Sequence, residues 1–336
     1  MPTAPAADSD SALDVVGIGN AIVDVFSRID DSFLSDHGLV KGSMNLIDPD
    51  RAEWLYGEMG AAVEVSGGSA ANTVAGIAAL GGRAAFVGKV ADDQLGNVYA
   101  HDIRSIGVEF TTPFSDGAEP TARSYILVTP DGERTMNTYL GACQTLSPGD
   151  VDEDQIRRAA ITYLEGYLWD PPGAKEAFSK AIDIAHQAKR KIALTLSDLF
   201  CVDRYRDEFL HLLDNHVDIL FANEDELKSL YGMDDTEAAI ERLRTHAGIA
   251  AITRGEQGST IVSDGTRCDV AAVPAVVEDT TGAGDLYAAG FLFGLSRGLP
   301  VRRCGEIASA CAGEIISHVG ARPESDLKKV VGDIVD

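Results

Sequence analysis

The stretch Asp279–Gly294, DTTGAGDLYAAGFLFG, decides how the chain is read. Thr280 and Thr281 suit a turn. Gly282, Ala283 and Gly284 follow, and small residues let a backbone approach a ligand closely. Asp285 then opens an apolar, helix-forming run of Leu286, Tyr287, Ala288, Ala289, Phe291 and Leu292. A helix starting at the glycines aims unpaired N–H groups and partial positive charge at whatever lies before it, phosphate above all. Asp285 in its first turn lies beside such a phosphoryl group, where it can take a proton from an attacking hydroxyl. Taken alone, GAGD is also an ordinary helix start, so support must come from the rest of the chain.

Ser66–Gly82, SGGSAANTVAGIAALGG, is the second informative stretch. Gly67 and Gly68 precede a helix of small residues that Gly81 and Gly82 stop. Asn72 falls one turn in, where it can touch a substrate. Small residues three and four apart let this helix pack closely on a sheet.

Around these stretches the chain divides into two kinds of pattern. From Asp150 onward strands (Ile161–Glu165, Ile192–Leu196, Ile219–Phe221, Ala250–Thr253) alternate with helices (Gly173–Lys189, Arg204–Asn215, Glu224–Tyr231, Thr236–His246). Such alternation implies a parallel sheet covered on both faces, with ligands beyond the carboxyl ends of its strands. Asp14–Gly19 and Ala84–Gly88 read as further strands, and Thr260–Ser263 with Arg267–Ala272 as a terminal hairpin. Val301–Val319 reads as the last helix. By contrast, Ala21–Ile29, Met44–Ile47, Thr121–Val128 and Arg134–Tyr139 alternate apolar with polar, and Pro130-Asp131-Gly132 joins the last two as a hairpin. They predict a small second sheet that covers a site.

Composition narrows the partners. The 336 residues are 45% hydrophobic, ample for a large core, and carry a net charge of −25. That charge argues against nucleic acid and anionic membranes. Phosphate must then be held locally, by backbone amides, a few Arg or Lys, and Mg²⁺. No apolar run reaches the ~18 residues of a membrane helix, and the first residues lack the pattern of a signal peptide. Cys143, Cys201, Cys268, Cys304 and Cys311 are scattered, which suits free thiols in a reducing cytoplasm. Cys304 and Cys311, seven apart, read as core packing.

Together, GGSAANTVAGIAALGG and DTTGAGDLYAAGFLFGL resemble the two signature stretches of the PfkB/ribokinase family of ATP-dependent small-molecule kinases. The likeness runs from about Asp14 to Arg322. It implies a ribokinase-like three-layer α/β/α domain with a mostly parallel central sheet, plus a small β-sheet lid. The divisions expected are a disordered tail over 1–12, a core over 13–22, 49–112 and 142–336, and a lid over 23–48 and 113–141. The resemblance makes Asp285 the catalytic base and the amides of Gly282, Ala283 and Gly284 the anion hole for the transferring phosphate. Asn223 and Glu226, in NEDE, match a motif that organises Mg²⁺ largely through water. Read without the resemblance, they make a helix cap. Thr253, Gly255 and Gly258, in TRGEQG, match the loop lining the ATP site. Arg134 matches a lid arginine that faces the phosphates. No GxxxxGK[ST] loop occurs, so ATP is not held that way.

The acceptor is read from Asn20 and Asp24, in GNAIVD. An Asn–carboxylate pair can grip vicinal hydroxyls, one partner donating and the other accepting. The pattern is similar to that of adenosine kinases, where the pair holds the ribose 2′- and 3′-hydroxyls, with Gly67, Gly68 and Asn72 completing the site. A purine also needs an apolar slot, for which Leu46, Met136, Tyr139, Leu140, Tyr167, Leu168 and Trp169 are candidates. The reading is therefore phosphotransfer from ATP to the 5′-hydroxyl of adenosine. Its alternatives are a PfkB-family kinase of ribose, fructose or another nucleoside, and a non-catalytic nucleoside- or nucleotide-binding relative. Some relatives carry a monovalent-cation site near Asp279, so K⁺ stands as an optional cofactor. Monomer and homodimer both occur among relatives.

Overall fold

Runs of valine, isoleucine and alanine without a polar face build the large sheet. The computed structural model describes residues 12–245 and 248–335; the tail expected over residues 1–12 lies, save its last residue, outside the described residues. In chain order the strands are β1 (Leu13–Ile18), β2 (Ile22–Arg28), β3 (Met44–Leu46), β4 (Ala62–Gly67), β5 (Ala84–Val87), β6 (Ala122–Val128), β7 (Arg134–Tyr139), β8 (Ala159–Glu165), β9 (Lys191–Thr195), β10 (Ile219–Asn223), β11 (Ile249–Thr253), β12 (Ser259–Ser263) and β13 (Thr266–Val270).

The eight-stranded sheet runs β13-β12-β11-β10-β9-β8-β1-β5. From β11 to β5 every pairing is parallel, and β12 and β13 add an antiparallel edge. Successive residues feed opposite cores: Val15, Ala193 and Ile219 pack on one face, Val16, Leu194 and Leu220 on the other. That two-sided burial is why these strands lack alternation. The chain leaves β1 for β5 on one side and returns at β8 on the other. The carboxyl ends of β1 and β8 therefore flank the crevice where ligands of such sheets bind.

The second sheet runs β3-β7-β6-β2-β4. Its β2 alternates half-exposed with buried residues, as its sequence predicts. The fifth strand, β4, is absent from the sequence reading; it pairs antiparallel with β2 from Ile22↔Gly67 to Ser27↔Ala62. The helix Pro49–Glu58 was also missed, although Asp48 caps it and Pro49 stands at its first turn. A short helix, Glu153–Arg158, precedes β8.

At the carboxyl end two expectations need correction. The helix from Val301 stops at Ile315, because the Ile316 carbonyl turns to accept the Glu278 amide (2.8 Å). It is not the last helix: Leu327–Val335 follows, burying Leu327 and Val331 one turn apart. Cys304 and Cys311 are fully buried and free, as core residues. Among the described residues no helix is long and apolar enough to cross a membrane.

Glycine sets how closely the two signature helices meet. The helices Ser69–Ala79 and Ala283–Ser296 cross at Gly76, where a Cβ would come within 2.7 Å of Ala289 and 2.8 Å of Leu286. The small residues thus serve helix–helix contact as well as contact with the sheet, where Gly17 of β1 meets Val74.

Candidate active site

A cavity of about 650 Å³ opens above the carboxyl ends of β1, β8, β9, β10 and β11, with the second sheet across its mouth. Of the residues singled out in the sequence, Asn20, Asp24, Gly68, Asn72, Asn223, Glu226, Thr253, Gly282, Ala283, Gly284 and Asp285 line it. Gly67, Arg134, Gly255 and Gly258 do not line it.

The helix Ala283–Ser296 begins at Gly282, whose φ of +79° is left-handed and whose Cβ position lies 3.1 Å from Ala321. Only glycine turns there without strain. No side chain caps this helix start, and Gly284 is exposed at the cavity. Of the three amides expected to converge, that of Ala283 already donates to the Thr280 carbonyl (3.1 Å). Asp285 turns sideways. Its carboxylate accepts from Ser69 Oγ (2.6 Å) and Asn72 Nδ2 (3.0 Å), both on the other signature helix. Burial raises its pKa to about 6, against the pull of Ser69, Asn72 and Arg322. A carboxylate tuned close to neutrality suits a general base.

Asn20 follows β1 and meets Glu165 at the end of β8. Its backbone N–H (3.2 Å) and its side-chain Nδ2 (2.7 Å) both donate to Glu165 Oε1, while Ala70 N donates to Oε2 (2.8 Å). The expected donor of the Asn20–Asp24 pair is therefore directed at Glu165. Asp24 remains an acceptor, and a Cβ at Gly67 would collide with its carboxylate. Burial raises both Asp24 and Glu165 to about 7.

Glu165, Ser69 and Arg322 were not among the residues singled out. Glu165 had a signal: one acidic residue at the carboxyl end of the apolar run AAITYLE. Ser69 stood between the glycines and the helix.

Asn223 and Glu226 form a closed capping box. Asn223 N donates to Glu226 Oε2 (3.0 Å), Asn223 Nδ2 donates to Oε1 (2.6 Å), and Glu226 N donates to Asn223 Oδ1 (2.9 Å). Burial pushes Glu226 up to about 7. In the neighbouring loop, Gly258 at φ +86° lies against the backbone of Val270 to Ala272, a packing demand, whereas Gly255 at φ +55° faces open space.

Arg134 extends from β7 to Asp279, Nη2 to Oδ2 at 2.7 Å, with both side chains more than nine-tenths buried. Asp279 also accepts from Thr281 N and Gly320 N, both at 3.0 Å. The lid arginine thus meets the loop before the helix start, beside the carboxylate where K⁺ was an option. Of the candidate slot residues, Leu46, Met136, Leu140 and Tyr167 line the cavity. Tyr139, Leu168 and Trp169 are buried instead, Trp169 against Phe178 and Phe209. The helix Leu199–Asn215 starts earlier than expected and brings Phe200, 76% exposed, to the cavity wall.

A family model described as pfkB family carbohydrate kinase matches residues 39–328. The crystal structure of adenosine kinase from Sinorhizobium meliloti is 54% identical, with 96% of this chain and 99% of that one covered and a TM-score of 0.88. A probable sugar kinase from Rhizobium etli CFN 42 is 52% identical over the same shares, with a TM-score of 0.89. The 5-dehydro-2-deoxygluconokinase of Geobacillus kaustophilus is 28% identical over 75% of this chain and 78% of its own length.

Proposed function

The chain belongs to the pfkB family of carbohydrate kinases, and from that premise we propose that the alcohol it phosphorylates is the 5′-hydroxyl of adenosine, with ATP as donor. It is a phosphotransferase acting on an alcohol group. The observation that carries the substrate reading is a single cavity with two kinds of wall. The pair Asn20 and Asp24 takes the diol, with Gly68 and Asn72 beside it. Leu46 and Met136 of the same lid sheet, with Tyr167 of the core, offer an apolar slot of the kind a base needs. The likeness to the Sinorhizobium adenosine kinase supports the same choice.

In this reading Asp285 takes the proton from the attacking hydroxyl, and the open helix start at Gly282 and Gly284 receives the phosphate that moves. Thr253 borders the nucleotide, and Gly255 and Gly258 shape the loop that follows Thr253. Each carboxylate oxygen of Glu226 has one partner in Asn223 and a lone pair left for water. Among the described residues no cluster of three His, Cys, Asp or Glu could cage a metal. Both facts fit Mg²⁺, which keeps its waters and shares phosphate oxygens. When bound it neutralises charge on the transferring group. Residues 23–48 and 113–141, joined by β4, form the lid, and Arg134 latches it to Asp279.

A second reading has its own support. Ser124 and Thr138 bring hydroxyls 2.8 Å apart to the lid side of the cavity, a polar surface that suits a sugar. Release of ADP with adenosine, inosine, guanosine, ribose and fructose separates the readings. Adenosine should lead in kcat/KM by about 100-fold. A lead for ribose or fructose replaces the acceptor, and saturable binding without turnover makes the protein a binding relative.

A further inference from the structure

We propose that Arg322 is a positioning residue of the phosphotransfer: it clamps the Ser66–Ala71 turn at both ends and holds a fixed positive charge near Asp24 and Asp285. The proposal rests on Asp285 as the base.

Arg322 lies in the loop between the helices Val301–Ile315 and Leu327–Val335. Its Nη1 donates to the Ala71 carbonyl (3.0 Å), and its Nη2 donates to the Ser66 carbonyl (2.7 Å) and Ser66 Oγ (3.1 Å). Asp102 holds Ser66 from the other side, accepting from its N–H (2.8 Å) and its hydroxyl (2.6 Å). Between the two clamped points Gly68 and Ser69 line the cavity. Gly67 backs the Asp24 carboxylate, Gly68 turns at φ +100°, and Ser69 leads to Asp285, as Asn72 does one residue beyond Ala71. The same turn is the covalent joint between lid strand β4 and the core helix Ser69–Ala79. A planar guanidinium can fork onto two carbonyls at once, which a lysine ammonium cannot do with the same geometry.

The charges around it make the second half of the argument. Asp24, Glu165 and Asp285 line one cavity, and burial disfavours the ionised form of each. Asp24 is faced by Arg322, Arg134 and Asp285. Asp285 is faced by Arg322, and it in turn raises Glu165, Tyr163 and Tyr167. Arg322 is itself faced by Tyr99, Asp102, Asp24 and Asp285. It is a cation that faces both of these carboxylates, held in place by backbone carbonyls rather than by either of them.

The test is the pH profile of kcat/KM for Arg322→Met and Arg322→Lys, from about pH 5.5 to 9, with thermal melts to confirm folding. In Arg322→Met the acid limb should move up by about one pH unit, which alone lowers kcat/KM at pH 7 by about twofold, a loss regained by pH 9. Added guanidinium should restore part of the loss. Arg322→Lys should keep the limb in place and raise KM for the acceptor, because the clamp is lost while the charge stays. A folded Arg322→Met with an unmoved limb overturns the proposal. Should that variant not fold, an Arg322→Lys enzyme with wild-type KM overturns it instead. Asp285→Asn in the same assay keeps the two readings apart: if it stays active, the base assignment is what fails.

Discussion

Two helices in this molecule begin with an acid at the same place, and they use it in opposite ways. Asn223 caps the helix Glu224–Tyr231, and Glu226, three residues on, reaches back to the Asn223 amide. Gly282 opens the helix Ala283–Ser296, and Asp285, also three residues on, has no capping side chain to answer. It reaches across to Ser69 and Asn72 on another helix. The first start is closed by its own residues, and its amides are partly satisfied. The second leaves positive helix-end potential facing a cavity, with a carboxylate set beside it. A capping box stabilises; an open start with a displaced acid is a place for an anion and a proton acceptor.

The comparison breaks most visibly at Asp285. Asp285→Asn keeps the shape of the side chain but removes the proton acceptor we propose as the base. Turnover should fall by about three to four powers of ten, with KM for ATP and acceptor near wild type. Loss of both affinities with intact folding would instead give Asp285 a structural role like that of Glu226. The closed start predicts a smaller and different effect. Glu226→Gln keeps half the box and should raise the Mg²⁺ needed for half-maximal rate by about tenfold or more, read by titrating MgCl₂ at fixed ATP. An unchanged Mg²⁺ requirement would reduce this start to a cap and nothing else.

The contrast was half visible in the sequence. Glycine before an apolar run, and Asn followed by Glu three residues on, are local patterns and could be read directly. The buried strands were legible for the same reason, since β-rich runs without alternation imply cover on both faces. What escaped lies between distant positions. Ser69 and Asp285 are 216 residues apart, Asn20 and Glu165 are 145 apart, and Arg322 and Ser66 are 256 apart. No window along the chain contains any of these three pairs. The Asn20 amide shows the consequence. Its residue type announced a hydroxyl grip, yet which atom faces the ligand depends on Glu165. The strand β4 was missed for another reason: Ala62 and Val63 are exposed at the edge of the small sheet, so it lacks the apolar pattern that marks a covered strand.

The two starts should also differ in stability, and in sign. Removing the cap with Asn223→Ala should lower stability by about 1 kcal/mol at both pH 4 and pH 8, as loss of an N-cap does. Asp285 behaves otherwise, because burial raises its folded pKa to about 6, above its ordinary value of 3.8. A carboxyl with a raised folded pKa contributes stability that is complete below its unfolded pKa and is lost as pH rises through the folded one. At pH 8 the ligand-free protein therefore carries an ionised Asp285 at a cost, and Asp285→Asn should raise its melting temperature by roughly 1–3 °C. At pH 4, where the carboxyl is largely neutral in the folded state, the gain should shrink toward zero. Melting curves of the wild type and both variants at the two pH values decide it. If Asp285→Asn lowers the melting temperature at pH 8 as Asn223→Ala does, the open start is held together by its acid, and the opposition between the two helix ends is wrong.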